Sequence, residues 1–117
     1  MKKYYKVVDK NKDSIITLAD YINYSGKYKI YPKFGSIFVF DNLKNALQFI
    51  ERYTRDIHGY IYECVGKKSK YQGDRIALFP FDKIAFWFNM KNIPTSKVVI
   101  GTIFMDWIKM GKQIKHF

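Results

Sequence analysis

The chain has 117 residues, a formal net charge of +11 and an apolar content of 48%. This length predicts one domain spanning residues 1–117, and the many apolar and aromatic side chains exclude a disordered chain. The single cysteine, Cys64, excludes an internal disulfide and predicts a small buried side chain in a reducing compartment. No leader-like or membrane-spanning apolar run occurs, so we expect a cytoplasmic protein with no membrane partner.

Positive charge is concentrated towards the two ends of the chain. Residues 1–35 contain eight basic and three acidic side chains, residues 36–65 contain three and four, and residues 66–117 contain ten and three. An excess of this size attracts polyanions such as nucleic acid, acidic protein surfaces or anionic lipid. Lysine outnumbers arginine 18 to 3, which is also typical of an AT-rich genome, so a merely solvated lysine-rich surface is the alternative interpretation.

The first third of the chain predicts a hairpin followed by a basic segment. Residues 4–8 and 14–18 have the composition of strands, and the polar residues 9–13 between them are typical of a turn. Further on, Lys27, Lys29 and Lys33 alternate with Tyr28, Ile30 and Phe34 at the period of two of a strand. Because Pro32 limits any continuation, we expect a short edge strand or an irregular segment with its lysines on one wet face.

The middle of the chain predicts a strand, a capped helix and a second strand. The apolar run 37–40 stops at Asp41, which suits a helix N-cap. A helix over about residues 42–55 follows, because apolar residues recur at helical spacing on one face and charged residues occupy the other. Within this helix we expect Leu47 and Ile50 in the core. Gly59 ends it, and residues 60–65 again have strand composition.

The second half of the chain predicts a loop and closing strands. Residues 66–75 combine two glycines with four basic residues and predict a loop. Residues 98–104 and 107–110 have the composition of two closing strands, followed by a basic tail to residue 117. Taken together, the pattern predicts an α+β fold: a single domain in which a twisted, mostly antiparallel sheet packs against the one main helix.

Four segments, YYKVVD, FVFDNLKNAL, YIYEC and GTIFMDWIK, resemble in their order a broad set of small uncharacterised proteins of bacteria, phages and large DNA viruses. That set has no function to transfer, and a viral origin would imply the host cytoplasm. The central strand, Asp-x-x-x-x-Ala helix and Gly-Tyr-Ile-Tyr-Glu are also similar to part of the ADP-ribosyltransferase fold. The first strand lacks the histidine or arginine that holds the nicotinamide ribose, and neither Glu63 nor Asp106 stands in a catalytic loop. This similarity therefore implies the fold without the enzyme chemistry.

The sequence contains no phosphate-binding, dinucleotide-binding or metal-binding motif. Neither His58 nor His116 has a second metal ligand at helical or loop spacing, and His58 suits the carbonyl end of the predicted helix. Glu63 either points to solvent or is a buried carboxylate with a basic partner. Nothing in the sequence places a catalytic partner beside Cys64. We therefore expect no metal, no cofactor and no enzymatic activity.

Lysines and tyrosines interleave in three short clusters, near residues 2–6, 27–33 and 67–71. Lysines neutralise phosphates and exposed aromatic rings stack on bases, so this combination favours nucleic acid. The sequence predicts a non-catalytic basic binding module that contacts nucleic acid. Its candidate residues are Lys2, Lys3, Lys6, Lys27, Tyr28, Lys29, Lys33, Lys67, Lys68, Lys70 and Tyr71.

An apolar run over residues 76–90 supports a competing hypothesis. If Phe86, Trp87 and Phe88 within it are exposed, they form a patch typical of an interaction site. The protein would then be a phage- or virus-encoded factor that docks on a host protein. If they are buried, the basic surface is the better candidate site. The third interpretation is an ADP-ribosyltransferase-like domain that lacks recognisable catalytic residues.

Overall fold

The computed structural model of the protein describes residues 1–15, 22–33, 35–53, 59–77, 86–88 and 93–116. Within these ranges the chain forms six strands and one helix. In chain order they are β1 (Tyr4–Val8), β2 (Ile37–Phe40), α1 (Leu43–Tyr53), β3 (Tyr60–Lys68), β4 (Arg75–Ala77), β5 (Thr95–Lys97) and β6 (Thr102–His116).

Four of the strands close into a small barrel in the order β1, β2, β6, β3, and every pair in it is antiparallel. The 15-residue β6 is its longest strand, and it pairs with β2 near its start and with β3 along most of its length. β4 and β5 form a separate two-stranded antiparallel sheet. The predicted α+β class with a mostly antiparallel sheet is confirmed, whereas closure into a barrel was not part of the prediction.

Apolar side chains lie in two clusters on the two sides of the barrel wall. Successive side chains of β1 point to opposite sides of the wall. Tyr4 and Val8 therefore join the interior cluster, and Val7 joins the outer one. The interior cluster consists of Tyr4, Val8, Tyr24, Ile37, Val39, Cys64, Met105 and Ile108. The outer cluster consists of Val7, Phe40, Ala46, Ile50 and Ile61. Of the helix residues expected in the core, Ile50 is buried, and Leu47 is half-buried against the outer cluster.

Asn42, rather than the predicted Asp41, caps the N-terminus of α1. The Asn42 side-chain oxygen accepts a hydrogen bond of 2.9 Å from the backbone N–H of Asn45, the third residue of the helix. Asp41 instead accepts a 2.9 Å bond from the Asn45 side chain. The helix is described to Tyr53, and its predicted last turn, with His58, lies outside the described residues. No helix in the described part of the chain is long and apolar enough to cross a bilayer.

The loop predicted over residues 66–75 is wrong at both ends. β3 continues through Gly66 to Lys68, and Arg75 opens β4. Glycine often breaks a strand, but at Gly66 it permits two strands to approach closely. A Cβ atom at this position would lie 2.1 Å from the backbone oxygen of Trp107 on β6.

A single strand, β6, occupies most of the region predicted as two closing strands and a tail. Gly101 has a φ of 83° and turns the chain just before β6 begins. β6 continues through Asp106. The consecutive residues Lys67 and Lys68 of β3 pair with Trp107 and Met105 of β6, so Asp106 has no partner of its own on β3. Asp106 is therefore the extra residue of a β-bulge, which a sequence pattern alone reads as a break.

The polar turn predicted at residues 9–13 is confirmed. The Asp9 carboxylate accepts the backbone N–H groups of Asn11 at 2.8 Å and Asp13 at 2.9 Å. Val8 and Ser14 then form an isolated bridge across the turn. This bridge is the described beginning of the predicted second strand, and residues 16–18 lie outside the described ranges.

Residues 27–33 do not form the strand that their alternation predicts. They touch β6 through one isolated bridge, in which Ile30 and Ile108 exchange hydrogen bonds of 2.7 and 3.0 Å. Tyr28 is 76% exposed, so it shares solvent with the lysines instead of facing away from them. Gly26, at a φ of 96°, and Pro32 bound the segment and leave room for one bridge only. Phe34 lies outside the described residues.

Candidate functional site

The outer face of β6 carries an aromatic side chain, Trp107, over which the chain places a lysine. Trp107 is half-buried, and the Lys29 Nζ lies 4.2 Å from the centre of its ring. The bridge between Ile30 and Ile108 holds Lys29 beside β6. Because Ile108 is fully buried in the barrel interior, its neighbours on β6 point outward.

Two further lysines flank Trp107 on the same face. Lys67 pairs directly with Trp107, and such cross-strand partners lie about 4.5–5.5 Å apart at Cβ. Lys109 is two residues along β6 from Trp107 and is exposed. Lys67 Nζ also lies 3.8 Å from Asp106 Oδ2, but both side chains are well exposed and such a pair contributes little. We call Lys29, Lys67, Trp107 and Lys109 the basic strip.

Additional exposed groups lie next to the basic strip in the chain. Lys27, Lys33, Tyr28 and Tyr31 belong to the same segment as Lys29, and Tyr31 is 61% exposed. Lys68 and Lys70 follow Lys67 and are also exposed. The fold thus brings the second and third predicted clusters together, because β6 lies between residue 30 on one side and β3 on the other.

Lys6 of the first predicted cluster does not join this surface. Lys6 is only 9% exposed, its Nζ donates a 2.8 Å hydrogen bond to the carbonyl of Phe38, and it lies 4.7 Å from the centre of the Tyr24 ring. The prediction that Lys6 contacts nucleic acid is therefore wrong. The alternation of β1 turns Lys6 to the same side as the buried Tyr4 and Val8.

Lys2 and Lys3 are exposed but have partners within the protein. Lys3 Nζ lies 3.3 Å from Glu63 Oε2, and the Glu63 side chain is 17% exposed. Glu63 is therefore half-buried, between the two alternatives, and has a basic partner. Lys2 Nζ lies 5.3 Å from the centre of the Tyr4 ring. The contacts of Lys2 and Lys3 are of the same kinds as those of Lys29 and Lys67 in the basic strip, so a contact of Lys2 and Lys3 with nucleic acid stays a prediction.

Tyr71 packs one face of its ring against the protein and is 40% exposed. It stacks on Phe104 at 5.3 Å between ring centres with an interplanar angle of 4°, and its hydroxyl donates a 2.9 Å bond to the Arg75 carbonyl. Desolvation raises the pKa of Tyr71, and the charge of Asp74 adds to the rise. Gln72 secures this segment by accepting the Phe104 N–H at 3.0 Å and donating to its carbonyl at 2.6 Å. The stack on Phe104 occupies one face of the Tyr71 ring, so the role of Tyr71 as a base-stacking platform stays a prediction.

The predicted docking residues divide between packing and exposure. Phe86 and Trp87 are half-buried and meet the Tyr71 ring edge to face, at 6.0 and 5.4 Å between centres. Trp87 also packs on Gly35, where a Cβ atom would lie 2.3 Å from the indole ring. Phe88 is 70% exposed. The continuous three-residue patch is thus reduced to one exposed ring.

The described residues contain no group of three or more metal-ligating side chains. Cys64 is buried in the barrel interior, and this burial raises the pKa of its thiol to about 12, while the nearby Lys6 acts in the opposite direction. The thiol is therefore held in its neutral, unreactive form near neutral pH. The arrangement fits non-covalent recognition by charge and aromatic surface.

The sequence prediction missed Trp107 and Lys109, which belong to the basic strip. A signal was present, because Trp107 and Lys109 flank Ile108 at strand spacing within residues 107–110, a stretch that was predicted to form a strand. Only the pairing of Ile108 identifies which side of this strand faces the interior.

Comparison of the sequence with protein-family models gives no match. Comparisons with curated proteins and with solved structures likewise give no significant match. The similarity to small viral and bacterial proteins and to the ADP-ribosyltransferase fold therefore stays a prediction, and a function has to be argued from the residues themselves.

Proposed function

We propose that this protein is a non-catalytic binding module that contacts single-stranded nucleic acid through the basic strip. The observation that carries this proposal is the half-buried Trp107, covered on the outside by Lys29 and flanked by Lys67 and Lys109. Ammonium groups neutralise phosphates, and an indole ring stacks on any base. The two kinds of group are held within one face of two paired strands.

The interaction free energies favour replacement of the Lys29 ammonium over the Trp107 ring by a nucleic-acid base. A cation over an exposed aromatic ring contributes about 0.5–1 kcal/mol. A base stacked on an aromatic side chain contributes about 1–3 kcal/mol. Lys29 can leave the ring and contact the phosphate of the same nucleotide, so the ring gains a better partner and the ammonium keeps an anionic one.

Unpaired strands fit this surface better than a duplex does. Stacking on Trp107 requires a base that is not already stacked and paired within a helix. Groove reading of duplex DNA commonly uses a basic helix, and α1 offers Lys44 and Arg52 next to the acidic Glu51 while its apolar face is buried. We therefore expect a preference for single-stranded DNA or RNA.

The test is a titration of labelled single- and double-stranded oligonucleotides between about 50 and 200 mM salt. For single strands, log affinity should fall linearly with log salt, with a slope of about −0.7 for each phosphate contacted. Three lysines in contact predict a slope of about −2. Binding should also change the fluorescence of Trp107.

A charge-matched pair of variants separates a defined site from general attraction. Lys29→Glu with Lys109→Glu should weaken binding at low salt, whereas Lys10→Glu with Lys44→Glu changes the net charge equally at exposed positions away from the strip. Equal losses in both double variants would contradict a defined site. No binding at the lowest salt would mean that the charge only maintains solubility.

A second candidate function is protein docking, which the 70% exposure of Phe88 favours. Phe88 follows Trp87, whose ring is anchored on Gly35 and Tyr71, so the exposed ring projects from a packed base. Phe88→Ser should leave oligonucleotide binding unchanged under the nucleic-acid proposal. If oligonucleotides do not bind, a self-association that Phe88→Ser abolishes would support docking.

A further inference from the structure

The weakest seam of the barrel lies between β1 and β2. These strands share one paired position, Tyr5 with Phe40, whereas β1 pairs with β3 at five positions and β2 pairs with β6 at four. Beyond Tyr5 the two strands diverge, and a cavity of about 320 Å³ opens between them. This volume lies at the lower end of the range for small-molecule sites, roughly 300–1,000 Å³.

The wall of this cleft is mostly apolar, and three of its hydroxyl groups already have partners. Ser14 bonds to the backbone of Ile22, and Thr102 donates to the carbonyl of Val99. Ser36 shares a 2.8 Å hydrogen bond with the buried Ser69. Apolar wall positions come from β1, β2, α1 and the segment after β5, and they include Val7, Ile37, Phe40, Phe49 and Val98.

Lys6 is the exception, because it brings a buried positive charge to this wall. Its ammonium has three N–H donors, of which one bonds to the Phe38 carbonyl, and Nζ also lies near the Tyr24 ring. In the described part of the chain, no carboxylate lies within ion-pair distance of Lys6. A buried cation without an anionic partner is costly, and proteins normally supply one.

The buried thiol of Cys64 cannot supply a negative charge to Lys6. Cys64 interacts electrostatically with Lys6, but burial raises the pKa of its thiol to about 12. The thiol therefore stays protonated and neutral beside the ammonium. Phe38 presents only a neutral carbonyl. Among the described wall residues, the charged ones are Lys6 and the exposed Lys97.

We propose that the cleft between β1 and β2 binds a small amphipathic carboxylate, with the carboxylate on Lys6 and the apolar chain or ring against Phe40, Phe49 and Val98. One ammonium neutralises one negative charge, so a monocarboxylate fits better than a phosphate dianion, which would keep an unpaired charge in an apolar wall. A charge-assisted hydrogen bond to the free donors of Lys6 would fix its orientation. This site is separate from the basic strip, because Lys6 faces inward and the strip faces outward.

The experiment compares octanoate with octanol, which has the same chain length and no charge. Calorimetric titration should give octanoate an affinity for the wild-type protein about tenfold or more above that of octanol, as expected for a hydrogen bond to a charged group. Backbone resonances of residues 6, 37 and 98 should shift on addition of octanoate. Resonances of residues 29, 67 and 107 should stay in place.

Lys6→Met replaces the cation with an apolar side chain of similar length. It should remove the preference for octanoate while octanol binding is kept or improved. Because this variant leaves the Phe38 carbonyl without its donor, a second variant, Val98→Trp, fills the cleft and should abolish binding of both ligands with Lys6 intact. Neither variant should change oligonucleotide binding, so this proposal fails independently of the one for the basic strip.

Three outcomes would overturn the proposal. Equal affinities for octanoate and octanol in the wild-type protein would mean that Lys6 does not recognise the ligand charge. Octanoate shifts confined to residues 29, 67 and 107 would mean adsorption to surface lysines. The absence of any shift up to millimolar octanoate would mean that the cleft takes no ligand of this class.

Discussion

Two aromatic side chains on the outer face of β6 differ in what covers them. Phe104 is 1% exposed, and the rings of Phe38, Tyr71 and Trp87 surround it at 4.9 to 6.0 Å between centres. Trp107, three residues along the same strand, is half-buried, and the group that lies over its ring is the ammonium of the flexible Lys29 side chain. One ring is enclosed by other aromatic rings, and the other is partly open to solvent.

The difference arises from the chain segments that cross the barrel at each position. Over Phe104, Gln72 pairs with the strand backbone and holds Tyr71 flat on the ring, so several rigid groups must move together to uncover it. Over Trp107, one isolated bridge at Ile30 holds the covering segment, whose lysines and tyrosines are exposed. A lysine on a loosely held segment can be displaced at low cost, whereas a packed aromatic cluster cannot.

The largest expected effect is on stability, at the covered ring. Phe104→Ala removes a buried ring from an aromatic cluster and should lower the free energy of unfolding by about 3–5 kcal/mol. Urea denaturation measures the loss. Phe104→Leu, which keeps most of the volume, should cost much less. A loss below about 1 kcal/mol for the alanine variant would mean that the cluster is not a true core.

A smaller loss is expected at α1, whose residues Ala46 and Ile50 belong to the outer cluster. Ile50 is 7% exposed, and Ile50→Ala should lower the free energy of unfolding by about 2–5 kcal/mol. Leu47 is half-buried, so Leu47→Ala should cost less than Ile50→Ala. Chemical denaturation of the two variants under identical conditions checks the order. The reverse order would mean that α1 is rotated relative to the barrel.

Features of the fold that depend on local sequence were predictable from the sequence alone. Helical periodicity predicted α1 well, because its apolar face repeats at regular spacing and its cap residues are short and polar. The exposure of Lys27, Lys29 and Lys33 was also predictable, since lysine side chains are rarely buried without a partner. These features depend on local composition alone.

Features that depend on pairing between distant segments were not predictable. Lys6 was assigned to the surface because its neighbours are lysines and tyrosines, yet the register with β3 turns it inward. Tyr71 was assigned to nucleic acid because it follows three lysines, yet Gln72 docks this segment on Phe104. Closure of the barrel decides which side of each strand faces the interior, and closure depends on pairing between segments far apart in the sequence.

At the uncovered ring, the expected effect is on binding and not on folding. Trp107→Ala should weaken single-stranded oligonucleotide binding by about 1–3 kcal/mol, because the stacking platform is lost. Trp107→Phe should keep most of the affinity. Fluorescence anisotropy with labelled oligonucleotide measures both variants, and circular dichroism checks that they fold. If Trp107→Ala costs more in stability than in affinity, Trp107 resembles Phe104 and the comparison between the two rings fails.

The smallest expected effect is a pH dependence of stability that comes from Cys64 in the barrel interior. Because burial raises the pKa of Cys64 to about 12, the folded protein keeps the thiol proton at a pH where the unfolded chain, with a pKa near 9.0, loses it. Stability due to this group is therefore present below about pH 9 and falls as pH rises towards 12, by about 1–2 kcal/mol at pH 10. Lysines and tyrosines also titrate in this range, so the measured quantity is the difference between the wild-type protein and Cys64→Ala in urea denaturation at pH 7 and pH 10. The stability gap should narrow by that amount at pH 10. A gap that stays constant would mean that water reaches Cys64, and then the barrel interior is less well sealed than the cluster over Phe104.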